Sequence, residues 1–285
     1  MNEPVTEALL EGVIEIARQA GHAIMTVYEQ DEKIDVTRKL DDSPLTAADL
    51  AANQVIIDGL MRLAPTVPVL SEESEELPFT ERQKWDRYFL VDPLDGTKEF
   101  IKRNGEFTVN IALIDQGVPV LGVVYVPAQD VMYAGLPRMD SAGIAFVERS
   151  GSRQAMQTRA LQARLAAGED LVVVASRRPR SPPMEDCMAR LAQDFPAITT
   201  RKMGSSLKFC MIAEGEADLY PGLAPTSEWD TAAAHAIVMA AGGEVVDVAF
   251  KPLRYNTRDE LLNPSFYVLG DRTFDWPGRL AGPYS

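Results

Sequence analysis

The chain has 285 residues, 46% of them apolar and 25% charged, with 28 Lys and Arg against 42 Asp and Glu for a net charge of −14. That balance excludes a disordered segment, a collagen-like repeat and a disulfide-stapled miniprotein. It also makes nucleic-acid polymers and anionic membrane surfaces poor partners, because both need neutralising cations.

Val5, Leu9, Val13, Ile16, Ala17 and Ala20 recur at helical spacing, and Ile24 and Val27 carry the stripe past Gly21, so an amphipathic helix opens the chain. This start has acidic residues at Glu3, Glu7 and Glu11 and no basic n-region, so it does not read as a secretory signal. No run approaches the ~18 apolar residues of a transmembrane helix. A cytoplasmic protein is expected, with peripheral association with the inner membrane left open. A polar stretch, Gln30–Ser43, leads to a second helix from near Ser43-Pro44-Leu45-Thr46 to Leu63, closed by Pro65.

Val67–Leu70 and Tyr88–Val91 are short apolar runs of buried-strand type that end in Ser71-Glu72-Glu73-Ser74 and Asp92-Pro93. Phe107–Ile114 and Val118–Val126 read as a hairpin turning at Asp115-Gln116-Gly117, with further strands at Val131–Ala134 and Ile144–Val147. Residues 149–169 are polar and alanine-rich, without strand character, and place a soft boundary between an N-terminal α+β lobe (1–150) and a C-terminal α/β lobe (151–285). In the second lobe we expect strands at Leu171–Ala175, Asp218–Tyr220, Val245–Val248 and Phe266–Leu269. Helices are expected at Met184–Phe195, Ser205–Glu214 and Asp230–Ala241, the last closed by Gly242-Gly243. Cys187 and Cys210 are too few for a disulfide framework and read as free, buried thiols.

The chemistry concentrates at strand ends. In Asp92-Pro93-Leu94-Asp95-Gly96-Thr97, two carboxylates follow a buried strand and offer hard oxygen ligands suited to Mg²⁺; the N–H groups of Gly96 and Thr97 suit a phosphate oxygen. The same residues are compatible with a plain Asp-Pro turn with Asp95 as a helix N-cap. Glu72 emerges beside Asp92 if their strands are neighbours, and is otherwise part of a solvated acidic loop. Asp230 either caps a helix or points across a cleft. Asp49 fits a capping box with Thr46. Gly204-Ser205-Ser206-Leu207-Lys208 either caps a helix or holds a phosphate. Two histidines, His22 and His235, cannot make a zinc site and read as structural.

Taken together, Asp92 to Thr97, Trp229-Asp230 through Gly242-Gly243, and Glu72-Glu73 resemble the signatures of the inositol monophosphatase superfamily, in that family's order. Five further segments are similar to its CysQ-type 3'(2'),5'-bisphosphate nucleotidase branch: Ser43 to Asp49, Gly204 to Cys210, Pro225-Thr226, Lys251-Pro252-Leu253 and Leu262-Asn263-Pro264. The resemblance implies an α/β, layered αβαβα sandwich of the sugar-phosphatase type. It also implies Mg²⁺-dependent, lithium-sensitive hydrolysis of the 3'-phosphate of 3'-phosphoadenosine 5'-phosphate, with the sulfated cofactor form as a possible second substrate, in clearance of a by-product of sulfate assimilation. The alternatives are an inositol or sugar-phosphate phosphatase, or a non-catalytic binding protein, on the same scaffold.

Carried over by resemblance, Glu72, Asp92, Asp95, Asp230 and the carbonyl of Leu94 would hold two or three Mg²⁺. Thr97, hydrogen-bonded to Asp49, would orient the attacking water, with Glu72 a second candidate. Glu72, Leu94, Asp95, Gly96, Thr97 and Asp230 would meet the scissile phosphate. Ser205, Ser206 and Lys208 would form part of a second phosphate pocket. Lys39 is placed near the metals, and Arg177 and Arg178 face either a phosphate or solvent. The departure from the pattern is Ser227-Glu228, which puts an acidic side chain within reach of the substrate pocket and weakens the assignment of the leaving group, the role of Glu228 staying open.

Overall fold

The structure, a computed structural model, describes residues 4–30, 36–38, 44–75, 77–138, 143–177 and 181–280. In chain order the first elements are helix α1 (Glu7–Tyr28), a two-stranded ribbon of β1 (Val36–Arg38) and β2 (Pro44–Thr46), and helix α2 (Ala47–Leu63). Then come β3 (Val69–Ser71), α3 (Phe79–Arg82), β4 (Arg87–Asp95), α4 (Thr97–Ile101), β5 (Thr108–Asp115), β6 (Val118–Val126), β7 (Val131–Leu136), β8 (Ile144–Arg149) and β9 (Ser152–Ala155). The second half comprises α5 (Leu161–Ala166), β10 (Leu171–Ala175), α6 (Pro182–Asp194), β11 (Ile198–Lys202), α7 (Leu207–Ala213), β12 (Leu219–Gly222), α8 (Glu228–Ala240), β13 (Glu244–Asp247), β14 (Phe266–Leu269) and α9 (Pro277–Leu280).

Strands β3 to β9 form one sheet in sequence order, antiparallel except for the parallel β3–β4 pair. A second sheet has the order β11-β10-β12-β14-β13. Three apolar clusters separate five layers. One face of the large sheet (Phe89, Val91, Ile111, Val123) packs on α1 and α2. Its other face (Tyr88, Leu90, Ala112, Val124) packs with α7 and α8 against Val172, Val174 and Val268 of the second sheet. That sheet's outer face (Leu171, Val173, Tyr267) takes α6 and α9. This is the αβαβα order expected from the family resemblance.

Two differences from the sequence reading have local causes. The stretch 149–169 holds β9 and α5; β9 is an edge strand with every residue exposed, so it carries no apolar alternation to reveal it. Position 150 falls in the turn between β8 and β9, where Arg149 pairs with Ser152, so the passage between sheets follows Ala155. Among the described residues no helix is long and apolar enough to cross a membrane. Cys187 and Cys210 are buried free thiols. His235 is buried with Nδ1 at 3.0 Å from the Tyr255 hydroxyl, and burial holds its pKa down at about 3, so it is a neutral structural group.

Helix α8 carries Asp230, and its seat on the large sheet is made by missing side chains. A Cβ built on Gly122 of β6 would lie 2.0 Å from the Ala233 carbonyl oxygen, and one on Gly135 of β7 would lie 2.5 Å from Ile237 Cα. Helix and sheet therefore meet backbone to backbone, which explains the alanine-rich run Ala232 to Ala234. Gly122→Ala should force the helix outward and cost about 2 kcal/mol or more. At the usual 2–4 °C per kcal/mol for a chain somewhat shorter than this one, the thermal midpoint should drop by roughly 4–8 °C. An unchanged midpoint would show that the helix can lift without loss.

Candidate active site

Strand β4 continues through the Asp92–Asp95 signature rather than ending at it. Asp92 pairs with Asn110 and Asp95 with Thr108, so Pro93 and Leu94 oppose the single residue Val109. That extra residue is a β-bulge. Asp92 and Asp95 are three apart and would face opposite sides of a regular strand. The bulge turns both toward the α7–α8 layer. Pro93, with no N–H to give a ladder, suits this position, and Asp92 Oδ1 accepts the Leu94 N–H at 3.0 Å.

Glu72 directly follows β3. The parallel register sets Ser71 against Val91, and the Glu72 N–H donates to the Val91 carbonyl at 3.1 Å, which places Glu72 beside Asp92. The Glu72 carboxylate is near enough to raise the Asp92 carboxyl. Asp230 arrives from the opposite layer as the third residue of α8. Its Oδ2 accepts the Ser227 N–H at 2.8 Å, so the capping box and the approach to the cluster coexist. Carboxylate oxygens of Asp92, Asp95 and Asp230 lie within 4.8 Å of one another.

Ser206 joins the two layers. Its N–H donates to Asp95 Oδ2 at 2.8 Å and its hydroxyl donates to the Asp230 carbonyl at 2.6 Å, while Asn110 Nδ2 donates to that hydroxyl at 2.9 Å. Ser206 is thus buried and engaged with the cluster itself, and it does not line the cleft. The residue that sequence reasoning missed is Asn110. A lone amide at an inward position of the apolar run Thr108–Asp115 was its signal.

Asp49 serves two purposes. Oδ2 completes a capping box with the N–H and hydroxyl of Thr46 at 2.8 and 2.6 Å, and Oδ1 accepts the Thr97 hydroxyl at 3.5 Å. The N-cap of α4 is Gly96, at φ 91°, not Asp95. A Cβ there would meet the Glu106 carbonyl at 3.1 Å.

These groups open on a cleft of about 490 Å³ lined by Glu72, Asp92, Leu94, Asp95, Gly96 and Thr97 at one end. Ser205, Lys208 and Arg177 lie along its side, and Met184, Phe209, Tyr220 and Leu223 supply apolar surface. Ser205 stands at φ 41°, and its buried hydroxyl has no hydrogen-bond partner among the described residues. Lys208 Nζ donates to the Ser205 carbonyl and sits 5.4 Å from the centre of the Tyr220 ring. Arg177 makes a two-point ion pair with Glu106, whose Oε2 also accepts the Gly204 N–H at 3.0 Å. Lys39 and Arg178 lie outside the described residues. Glu228 does not reach the cleft. It is buried behind it, accepting the Asn256 N–H, because the helical turn that points Asp230 inward points residue 228 away.

Electrostatics identify what the cluster is built to hold. Burial and then the charges of Glu72, Asp95 and Asp230 push the Asp92 carboxyl well above its ordinary range. Burial raises Asp95 against the opposing pull of Lys208 and Ser206. Burial and Asp95 raise Asp230 to about 8. Four crowded carboxyl groups offering only hard oxygen donors fit divalent cations, which remove the repulsion that otherwise enforces protonation.

The chain belongs to the inositol monophosphatase family, whose model matches residues 2–272. Within that family it is 51% identical over 260 residues to the 3'(2'),5'-bisphosphate nucleotidase CysQ of Shigella flexneri, covering 91% of this chain and 99% of the relative. The CysQ nucleotidase of Escherichia coli K12 is equally similar, at 51% over the same span. Among solved structures, CysQ from Bacteroides thetaiotaomicron superimposes with a TM-score of 0.76 at 41% identity, covering 92% of this chain and 97% of that one.

An acid whose folded pKa is raised destabilises the fold as pH climbs from its unfolded value, near 3.8, through its folded value, about 8 for Asp230. Stability in EDTA should therefore fall relative to stability in millimolar Mg²⁺ across that window, with the gap widest at alkaline pH. Urea midpoints at pH 5 and pH 8, with and without Mg²⁺, measure it. A gap independent of pH would contradict the cluster's assignment.

Proposed function

We propose that this chain is a Mg²⁺-dependent 3'(2'),5'-bisphosphate nucleotidase that converts 3'-phosphoadenosine 5'-phosphate to AMP and phosphate, and also accepts the sulfated cofactor form. The observation that carries the reading is the 51% identity to nucleotidases of that name over 91% of the chain, with the carboxylate cluster intact at the cleft.

Glu72, Asp92, Asp95, Asp230 and the Leu94 carbonyl would hold the cations. When bound, these supply Lewis-acid activation and neutralise charge around the scissile phosphate. The Thr97 hydroxyl orients the attacking water and passes the water's proton on, accepting it while giving its own to the Asp49 carboxylate. Glu72, on the opposite side of Asp92, is a second acceptor for that proton. The N–H groups of Gly96 and Thr97, which begin a helix and so have no helical acceptors, meet the phosphate oxygens. Asp230 positions a water that protonates the departing ribose oxygen. The second phosphate lies on Lys208, Arg177 and the unpartnered Ser205 hydroxyl. Ser206 contributes through Asp95 rather than by contact. The apolar stretch at Met184, Phe209 and Leu223 offers a face for the base. The two sheets act as lobes that divide after Ala155 rather than at residue 150, with the site between them. Lithium inhibits by competing for a cation position, and the enzyme works in the cytoplasm, clearing a by-product of sulfate assimilation.

The test is phosphate release from 3'-phosphoadenosine 5'-phosphate and from inositol monophosphate, with Mg²⁺ and a lithium titration. Fast, lithium-sensitive release from the nucleotide is expected. Preference for inositol monophosphate would move the substrate and keep the mechanism; release from neither would favour a binding protein. Asp95→Asn should cost more than the roughly 10–100-fold typical of a ligand's outer partners and leave the circular dichroism spectrum unchanged.

A further inference from the structure

Glu228 is a buried carboxylate at the first position of α8, and the chemistry described above makes no use of it. Both its oxygens accept the backbone N–H of Asn256, at 3.0 and 2.9 Å. Asn256 is gripped at both ends of its amide by Arg82. Arg82 Nη1 donates to Asn256 Oδ1 at 2.5 Å, and Asn256 Nδ2 donates to the Arg82 carbonyl at 2.7 Å. Arg82 is fully buried, donates also to the Asp259 carbonyl, and lies 5.0 Å from the centre of the Phe79 ring.

The same segment is zipped to the approach of α8. Ser227 and Leu262 form an antiparallel bridge, the Glu228 N–H donates to the Leu261 carbonyl at 2.8 Å, and the Asn263 N–H donates to the Thr226 carbonyl at 2.8 Å. Asn263 Nδ2 donates to the Ser227 carbonyl at 2.7 Å and to the Thr231 hydroxyl at 3.1 Å. Every residue from Thr226 to Thr231 except Trp229 and Asp230 is therefore tied to residues 256–263. Asp230 lies inside that clamp with its carboxylate turned to the cluster.

Burying a carboxylate and a guanidinium is costly unless each is held by hydrogen bonds. Here the bonds of both converge on one residue, Asn256, whose backbone N–H meets Glu228 and whose side-chain amide meets Arg82, so the first turn of α8 cannot rotate without unpairing the buried Glu228. We propose that Glu228 is a positioning residue: through Asn256 and Arg82 it fixes the first turn of α8, and so sets how tightly the Asp92–Asp95–Asp230 cluster binds divalent cations. The inference rests on reading that cluster as the cation site.

The experiment is titration calorimetry of the full chain with Mn²⁺ and no substrate, beside kcat, KM and the thermal midpoint. Glu228→Ala should weaken Mn²⁺ binding about tenfold and lower kcat/KM in proportion at limiting metal, with the loss recovered at saturating metal. Glu228→Gln keeps an acceptor oxygen for the Asn256 N–H and should stay within about threefold of wild type. Leu191→Ala, in the core beyond the second sheet, should lower the midpoint and leave Mn²⁺ affinity alone. Where Glu228→Ala does not fold, Asn256→Gly serves; that backbone, at φ 53°, accepts glycine, and loss of the Arg82 grip should weaken Mn²⁺ about fivefold. Wild-type Mn²⁺ affinity in a folded Glu228→Ala or Asn256→Gly protein, or an equal loss in Leu191→Ala, overturns the inference. If wild type binds Mn²⁺ and the variants lose it, yet wild type releases no phosphate, the positioning role stands and the nucleotidase reading falls. If wild type binds no Mn²⁺, both fall.

Discussion

The structure turns on the cost of crowding like charges in a buried place. Asp92, Asp95 and Asp230 hold carboxylate oxygens within 4.8 Å of one another, with Glu72 placed beside Asp92 by the parallel register. Left to relax, such groups would separate or keep protons, and the raised Asp92, Asp95 and Asp230 carboxyls show the second response. Separation is prevented because each group sits on an element whose position is fixed elsewhere. The packing of the three apolar clusters thus supplies the free energy that keeps the carboxylate cluster assembled against its own repulsion.

The devices that hold the carboxylates come from different levels of structure. Glu72 and Asp92 are neighbours because two parallel strands are in register. Asp95 joins them because a bulge reverses its facing. Asp230 reaches them because Gly122 and Gly135 let α8 descend onto the sheet. Ser206 ties the last two together by bonding the carboxylate of one and the carbonyl of the other. Each device thus sets the place of one ligand, which matters most for Mg²⁺, whose coordination geometry is strict.

Much of this was legible in the sequence, and the boundary of legibility has physical causes. The buried strands before Glu72 and Asp92 and the hairpin at Gly117 follow from apolar runs and turn residues. The layered architecture followed from resemblance. Periodicity could not show that β4 runs on through Pro93 to Asp95, because a bulge breaks the alternation that defines a strand. It could not show β9, an edge strand with no buried face. Ser206 read as a phosphate donor because serine in a Gly-Ser-Ser run is ambiguous until burial is known. Glu228 read as a cleft residue because linear proximity to Asp230 ignores the direction of a helical turn, whereas its partners at Asn256 lie 28 residues away. The contacts that decide a side chain's role here are those between layers, and these have no signature in local spacing.

On the reading proposed above, a chain of net charge −14 must attract a substrate with two phosphates. Along the cleft, Glu72, Asp92, Asp95, Glu99 and Asp230 oppose Lys98, Arg177 and Lys208. Arg177 is already paired with Glu106, and Lys208 stands close enough to Asp95 to oppose its raised pKa. Whether the cleft's carboxyls keep their protons or ionise, they give an anion no attraction of their own, so that attraction depends on the cations they hold. Cation and phosphate binding are then coupled, and coupling between two ligands is reciprocal in equilibrium affinity. The side chains that hold the carboxylates in place consequently govern substrate affinity without touching the substrate, which is why packing far from the phosphate carries functional weight in this fold.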